Sequence, residues 1–125
     1  FAGPQLPIGV GFYQKFPVYQ GSVYDAKYKL TDDKGRFDVT QKEEDKNMWR
    51  VPTLRNIALT APYLHNGSVK TLDEAVRVMA KTQLNKDLKD AEVKSIVAFL
   101  KTLTGEMPRQ TAPVLPATEG RVVID

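Results

Sequence analysis

The stretch that decides the fold is VPTLRNIALTAPYLHNGSVKTLDEAVRVM, residues 51–79. It runs from a proline-interrupted extended segment, through the sole histidine and a glycine turn, into an amphipathic helix. Val51 precedes Pro52 and Ala61 precedes Pro62, and a residue before proline is pushed out of the helical region. Residues 53–58 have room for one helical turn between them, with Leu54 and Ile57 spaced to share a face. Asn66-Gly67 suits the positive φ that closes a loop. Thr71 followed by Glu74 predicts a capping box, in which the hydroxyl takes one orphan amide and the carboxylate reaches back to another. Leu72, Ala75, Val76 and Met79 then fall on one stripe at helical spacing.

Downstream, residues 85–90 are a polar linker offering Asp87 or Asp90 as the next cap. Val93, Ile96, Val97, Leu100 and Leu103 predict a second helix, with Phe99 on its flank, Gly105 as its C-cap and Pro108 barring continuation. Two such helices pack their stripes together or against a shared ligand. Residues 109–125 are proline-rich and aperiodic, an extended tail after a body spanning 1–108. Upstream, residues 1–21 show no period and predict coil, yet Phe12, Tyr13, Phe16, Val18 and Tyr19 crowd together there. Burying such a side chain is worth about 1.5–3 kcal/mol, so the rest of the chain or a large apolar ligand covers them. Between lie a turn at residues 32–35, a short strand expected at 36–40 and one helical turn at 41–46. The whole reads as mainly α with long irregular loops.

The 125 residues fit one domain, and 42% hydrophobic with 26% charged residues is a globular balance with no apolar run of membrane-spanning length. The net charge of +3 comes from dispersed lysines, and acidic and basic residues cancel between Asp25 and Arg50, so nucleic acid is not an expected partner. The absence of cysteine excludes disulfides, thiolate nucleophiles and cysteine-held metals, and one histidine cannot make a three-ligand zinc centre. Phe1 is not a start and no leader pattern follows it, so the chain reads as cut from something longer.

Few residues can carry chemistry. His65 sits in a proline- and glycine-bounded loop beside Tyr63, with no serine or cysteine arranged for hydrolysis; a hydrogen-bonded loop residue and a ligand are both open readings. Met79 is either core filler or a soft axial ligand to heme iron, with Met48 as a rival and Met107 beyond the helix. Arg55 is a carboxylate anchor or a surface arginine whose stem covers Leu54 or Ile57. The Asp32-Asp33-Lys34-Gly35 run lacks the spacing and closing glutamate of a calcium loop and reads as a solvated turn.

The stretch from Met48 to Met79, continued through AFLKTLTGEMP to Pro108, closely resembles the carboxy-terminal heme domain of bacterial di-heme cytochrome c peroxidases, the family that includes MauG-like proteins. The resemblance implies a cytochrome c-like heme domain lacking its amino-terminal attachment part, because the Cys-x-x-Cys-His motif expected upstream of Phe1 is absent here. It implies heme c with Met79 as the distal axial ligand, and a calcium ion touched by the backbone carbonyls of Thr60 and Pro62. It puts His65, Arg55, Phe12 and Trp49 in the heme pocket or at an interface, His65 as a hydrogen-bonding residue rather than an iron ligand. The implied activity is cytochrome-c peroxidase, exercised only by the complete protein: peroxide is reduced at the other heme, and this domain takes in electrons. The implied partners are the upstream part carrying Cys-x-x-Cys-His and the peroxidatic domain, a small cytochrome c or copper protein as donor, and a second copy in a homodimer, all in the periplasm. The alternatives are a cofactor-free interaction domain derived from the fold and a MauG-like protein-modifying enzyme, although such members can replace the methionine that Met79 matches.

Overall fold

A computed structural model describes residues 12–106 and 108–114. Met107 and most of the tail therefore lie outside the described residues, as do the first eleven positions of the lead-in. The elements are β1 (Tyr13–Lys15), α1 (Val23–Tyr28), α2 (Phe37–Thr40), β2 (Met48–Arg50), α3 (Leu72–Leu84) and α4 (Asp90–Thr102), with single 3-10 turns at Glu43–Asp45 and Ile57–Leu59. The domain is mainly helical, with one small open sheet.

α3 and α4 pack against each other and form the floor of the core. α4 contributes Val93, Val97 and Leu100, and α3 contributes Leu72, Ala75, Val76 and Val78; Leu30, Tyr63, Val69 and Phe16 close over them. α3 begins where Thr71 accepts a hydrogen bond from the Glu74 amide at 3.3 Å, which is the first half of the expected capping box. The second half is replaced. The Glu74 carboxylate instead accepts from the Tyr28 hydroxyl at 2.6 Å and from Lys27 Nζ at 3.1 Å, so a residue expected to serve its own helix fastens α1 to α3. At the start of α4 the N-cap is Lys89, whose amide donates to Glu92 Oε2 at 2.8 Å. Asp87 and Asp90, the expected caps, reach back to α3 and pair with Lys81 and Arg77.

Gly105 does not close α4. The helix ends in a cap at Leu103, whose carbonyl accepts from the Asn56 amide at 3.1 Å, and the Gly105 amide donates to Asn56 Oδ1 at 2.8 Å. Asn56 is left-handed at φ 59°, a conformation Asn tolerates better than most residues, and this aims both of its groups at the helix end. The single turn expected at residues 53–58 is present as the 3-10 turn Ile57–Leu59, displaced slightly downstream.

Two segments differ from expectation. Part of the aromatic lead-in is strand, not coil: β1 pairs antiparallel with β2, with Tyr13 opposite Arg50, Gln14 opposite Trp49 and Lys15 opposite Met48. Residues 36–40, expected as a strand, instead contain the short helix α2. Both sides of β2 are taken, by β1 on one and by Gly35 and Arg36 on the other, where the Arg36 amide donates to the Met48 carbonyl. The next residues have no ladder to join, and the chain coils until Gln41 turns left-handed at φ 58°.

The lead-in is anchored after β1. Phe16 is buried in the core, and the Val18 and Tyr19 amides both donate to the Thr82 carbonyl on α3, at 3.1 and 2.8 Å. Among the described residues no helix is long and apolar enough to cross a membrane.

Candidate functional site

α3 is capped, thirteen residues long and buried along one side, so it presents its side chains rigidly. Met79 follows Val76 by three positions, Ala75 by four and Leu72 by seven, which sets all four on one helical face. The other three are buried to 9% exposure or less, whereas Met79 is 38% exposed. A thioether is apolar and gains nothing from water, so a methionine left open on the inward face of a helix is an uncovered contact point. That position fits a soft ligand offered to a flat apolar group lying over α3. Met48, the rival, is half-buried in β2.

A second cluster forms where β2 meets the loop before α3. The Trp49 and His65 rings stack with centroids 4.2 Å apart and 22° between planes, and Phe16 meets His65 edge-on at 6.0 Å. Gly35, with φ +64°, also lies against the indole, so close that a Cβ added there would meet the Met48 carbonyl at 2.7 Å and Trp49 Cε2 at 2.9 Å. The loop itself is drawn shut by the Tyr63–Val69 bridge, in which Tyr63 N donates to Val69 O at 2.7 Å. Gly67 supplies the expected positive φ of 63°. Asn66 ties the loop to α1 by donating to the Tyr28 carbonyl at 2.8 Å. Burial holds the His65 imidazole below its usual pKa, and the Asp33 carboxylate offsets this only in part, so His65 is neutral at pH 7.

Three buried polar atoms in this region have no hydrogen-bond partner: Trp49 Nε1, His65 Nε2 and Ser68 Oγ. Each such group costs about 1–3 kcal/mol when left unpaired. Natural proteins rarely leave such atoms without a partner or water in the working molecule.

Of the remaining predicted residues, Arg55, Thr60 and Pro62 are exposed on the 51–62 segment and Phe12 is exposed beside β1. Arg55 is exposed, its amide donating to Thr53 Oγ1 at 3.2 Å. Thr60 and Pro62 are exposed and lie between the Ile57–Leu59 turn and α3, outside any named strand. Phe12 is 44% exposed at the mouth of the β1–β2 ribbon, its carbonyl accepting from the Val51 amide. Among the described residues no group of three or more His, Cys, Asp or Glu side chains is placed to hold a metal. The structure thus brings Trp49 and His65 together and keeps Phe12, Arg55, Thr60 and Pro62 at the surface. Reading the sequence missed Ser68 and Gly35; an NGS triplet and a turn glycine carry no signal of what they touch.

The family model described as RoxA-like, cytochrome c-like matches residues 49–83. Cytochrome c551 peroxidase of Nitrosomonas europaea is 48% identical over 109 residues, covering 87% of this chain and 31% of that protein. Its Pseudomonas aeruginosa namesake is 44% identical over 111 residues, covering 89% and 32%. The chain belongs to the di-heme cytochrome c peroxidase and MauG-like family. A solved member of that family, a MauG-like protein associated with microbial copper homeostasis, superposes with a TM-score of 0.59 at 31% identity, over 85% of this chain and 37% of that one. The chain spans about a third of the length of the peroxidases it matches. The matched segment opens at Trp49 and closes at Gln83, one turn past Met79, so Trp49, His65 and Met79 fall inside the stretch that matches the RoxA-like, cytochrome c-like model, while Phe16 and Gly35 lie outside it.

Proposed function

We propose that this chain is the electron-entry part of a peroxidase that reduces hydrogen peroxide to water, and that Met79 is an axial ligand of its heme. The observation that carries the reading is the exposed thioether on the otherwise buried face of α3, in a chain 48% identical to a cytochrome c551 peroxidase. Heme bound there supplies a redox-active iron, and a methionine ligand favours a high reduction potential. The chain's own residues do the rest. The Thr71 cap and the Tyr28–Glu74 bond fix the pitch of α3 and hence the direction of the Met79 sulfur. Trp49, His65 and Phe16 form a ring-lined wall that keeps water from an apolar ligand's edge. Arg55 offers an exposed guanidinium to an anionic group.

The proximal ligand and covalent attachment belong on this reading to a Cys-x-x-Cys-His segment outside these residues, together with the peroxidatic heme domain. The donor is a small cytochrome c or copper protein, the compartment is the periplasm, and a homodimer is the assembly. A calcium ion shared with the second domain would draw on the Thr60 and Pro62 carbonyls, neither of which accepts a backbone hydrogen bond among the described residues; backbone oxygens suit a hard cation. The likeness to a MauG-like structure gives a second reading, an enzyme acting on a partner protein. Presence of Met79 favours the first.

Replacing Met79 with Ala in the complete protein tests the proposal. The expected result is loss of the low-spin spectrum of the electron-entry heme and a fall in its potential. An unchanged spectrum and potential would remove Met79 from the iron.

A further inference from the structure

We propose that the groove between the β1–β2 ribbon and α2 docks a protein partner through carboxylate side chains on that partner's surface, with Arg36 and Arg50 as the recognising residues. The proposal is independent of the heme reading above and needs no cofactor.

The ribbon fixes one arginine. Tyr13 and Arg50 face each other across the two strands, and the Val51 amide donates to the Phe12 carbonyl, which makes them a pair without hydrogen bonds between them. In such a pair the two side chains share a face of the sheet and approach most closely. The second arginine is held from two directions. The Arg36 guanidinium lies over the Tyr13 ring, 4.4 Å from its centroid, and its Nε pairs with Asp45 Oδ2 at 3.2 Å. That carboxylate is held in turn, because the same oxygen accepts from the Thr40 hydroxyl at 2.7 Å. A guanidinium stacked on a ring and tethered through Nε has already lost much of its freedom, so engaging its terminal nitrogens costs little further ordering.

The charge left over selects the partner. Arg36 and Arg50 line the groove, and no acidic residue does. Asp45 answers one of these two cations from behind. The Arg50 side chain is exposed and makes no ion pair or hydrogen bond among the described residues, and the terminal nitrogens of Arg36 donate no hydrogen bond there either. Two guanidinium groups beside one phenol ring therefore leave a positive charge uncompensated. A carboxylate offers about four acceptor sites and matches the planar fork of an arginine. A cationic partner is excluded by the same charge. Nucleic acid is disfavoured, because acidic and basic residues cancel between Asp25 and Arg50 and no basic track runs on from the groove. Val39 lines the same groove at 87% exposure, an apolar contact beside the charges. Arginine and tyrosine around an open apolar contact suit a protein surface, whereas a small molecule is held by an enclosing pocket.

The experiment titrates the full 125-residue chain, isotopically labelled and at low salt, with four probes. They are a tetrapeptide of alternating leucine and glutamate blocked at both ends, its glutamine counterpart, glutarate and inorganic phosphate. The expected result is a shift of the Arg36, Val39 and Arg50 amide resonances with the glutamate peptide, abolished by added salt and absent with the glutamine peptide. Arg50→Gln is expected to weaken the glutamate peptide about tenfold, the size of one charge-assisted hydrogen bond. Arg36→Lys keeps the charge, removes the fork and is expected to do the same. Should that variant fail to fold, Arg50→Gln decides, because it alters an exposed side chain that holds nothing else in place. Lys94→Gln, at an exposed position of α4, is the charge control and is expected to leave the affinity unchanged. Equal binding of the glutamine peptide, glutarate or phosphate bound as tightly as the glutamate peptide, no effect of Arg50→Gln, or an equal effect of Lys94→Gln would each overturn the docking groove. Failure of Met79 to ligate heme in the complete protein leaves it standing.

Discussion

The Tyr28 hydroxyl donates a 2.6 Å hydrogen bond to Glu74 Oε1, joining α1 to the first turn of α3 across 46 residues of sequence. That bond is the largest influence holding the Glu74 carboxyl below its usual pKa, with Lys27 adding to it. A carboxylate depressed in the fold contributes stability above its unfolded value of 4.5, and the contribution is lost as pH falls through the folded value. Tyr28→Phe should therefore cost about 1 kcal/mol at pH 7 and much less near pH 3. Urea unfolding at the two pH values checks this; an equal loss at both would show that the ring, not the hydroxyl, carries the effect.

His65 gives a pH dependence of the opposite origin. Its folded pKa is lowered by burial, so above the unfolded value of 6.5 the ring is neutral in both states and costs nothing. Below 6.5 the unfolded chain takes up a proton that the fold resists, and stability falls with pH until the folded value is passed. Thermal unfolding between pH 8 and 5 should show this decline, and His65→Phe, which preserves stacking on Trp49, should flatten it.

Gly35 is held at φ +64° with its α-carbon against the indole. Gly35→Ala places a methyl group into the Met48 carbonyl and Trp49 Cε2 in a conformation alanine disfavours. The expected cost is about 2 kcal/mol or more, with a changed fluorescence maximum from the sole tryptophan. An unaltered spectrum would mean that Gly35 does not support the ring.

Met79 and Leu100 should separate structure from function. Leu100 is 7% exposed in the core, and Leu100→Ala should destabilise the chain by about 2–5 kcal/mol. Met79→Ala removes a side chain that is 38% exposed and should change the stability of the ligand-free chain by less than about 1 kcal/mol. Chemical denaturation of both variants reads the difference.

What could be read from the sequence was local. Thr71 caps a backbone amide three residues away and Gly67 turns its own loop, so composition and spacing were enough to find them. The apolar stripes of α3 and α4 followed from periodicity for the same reason. The expected roles of Glu74, Asp87, Asp90 and Gly105 differ from the observed ones because their partners lie elsewhere in the chain: carboxylates suited to a nearby cap are taken by Tyr28, Lys81 and Arg77, and the Gly105 amide by Asn56. The strand expected at 36–40 failed for a topological reason, since the ladder positions beside β2 were already filled. At the candidate site, Met79 and His65 were visible as chemistry, but the stacking of Trp49 on His65 and the open setting of the thioether are tertiary facts.

Asn56 grips the end of α4 with its own amide and its side-chain oxygen, at Leu103 and Gly105. The exposed Arg55 next to it is thereby mounted on the C-terminal helix rather than on the loop that follows in sequence. A body docking on that guanidinium pushes against the far end of α4, and a shift of the helix swings the arginine with it.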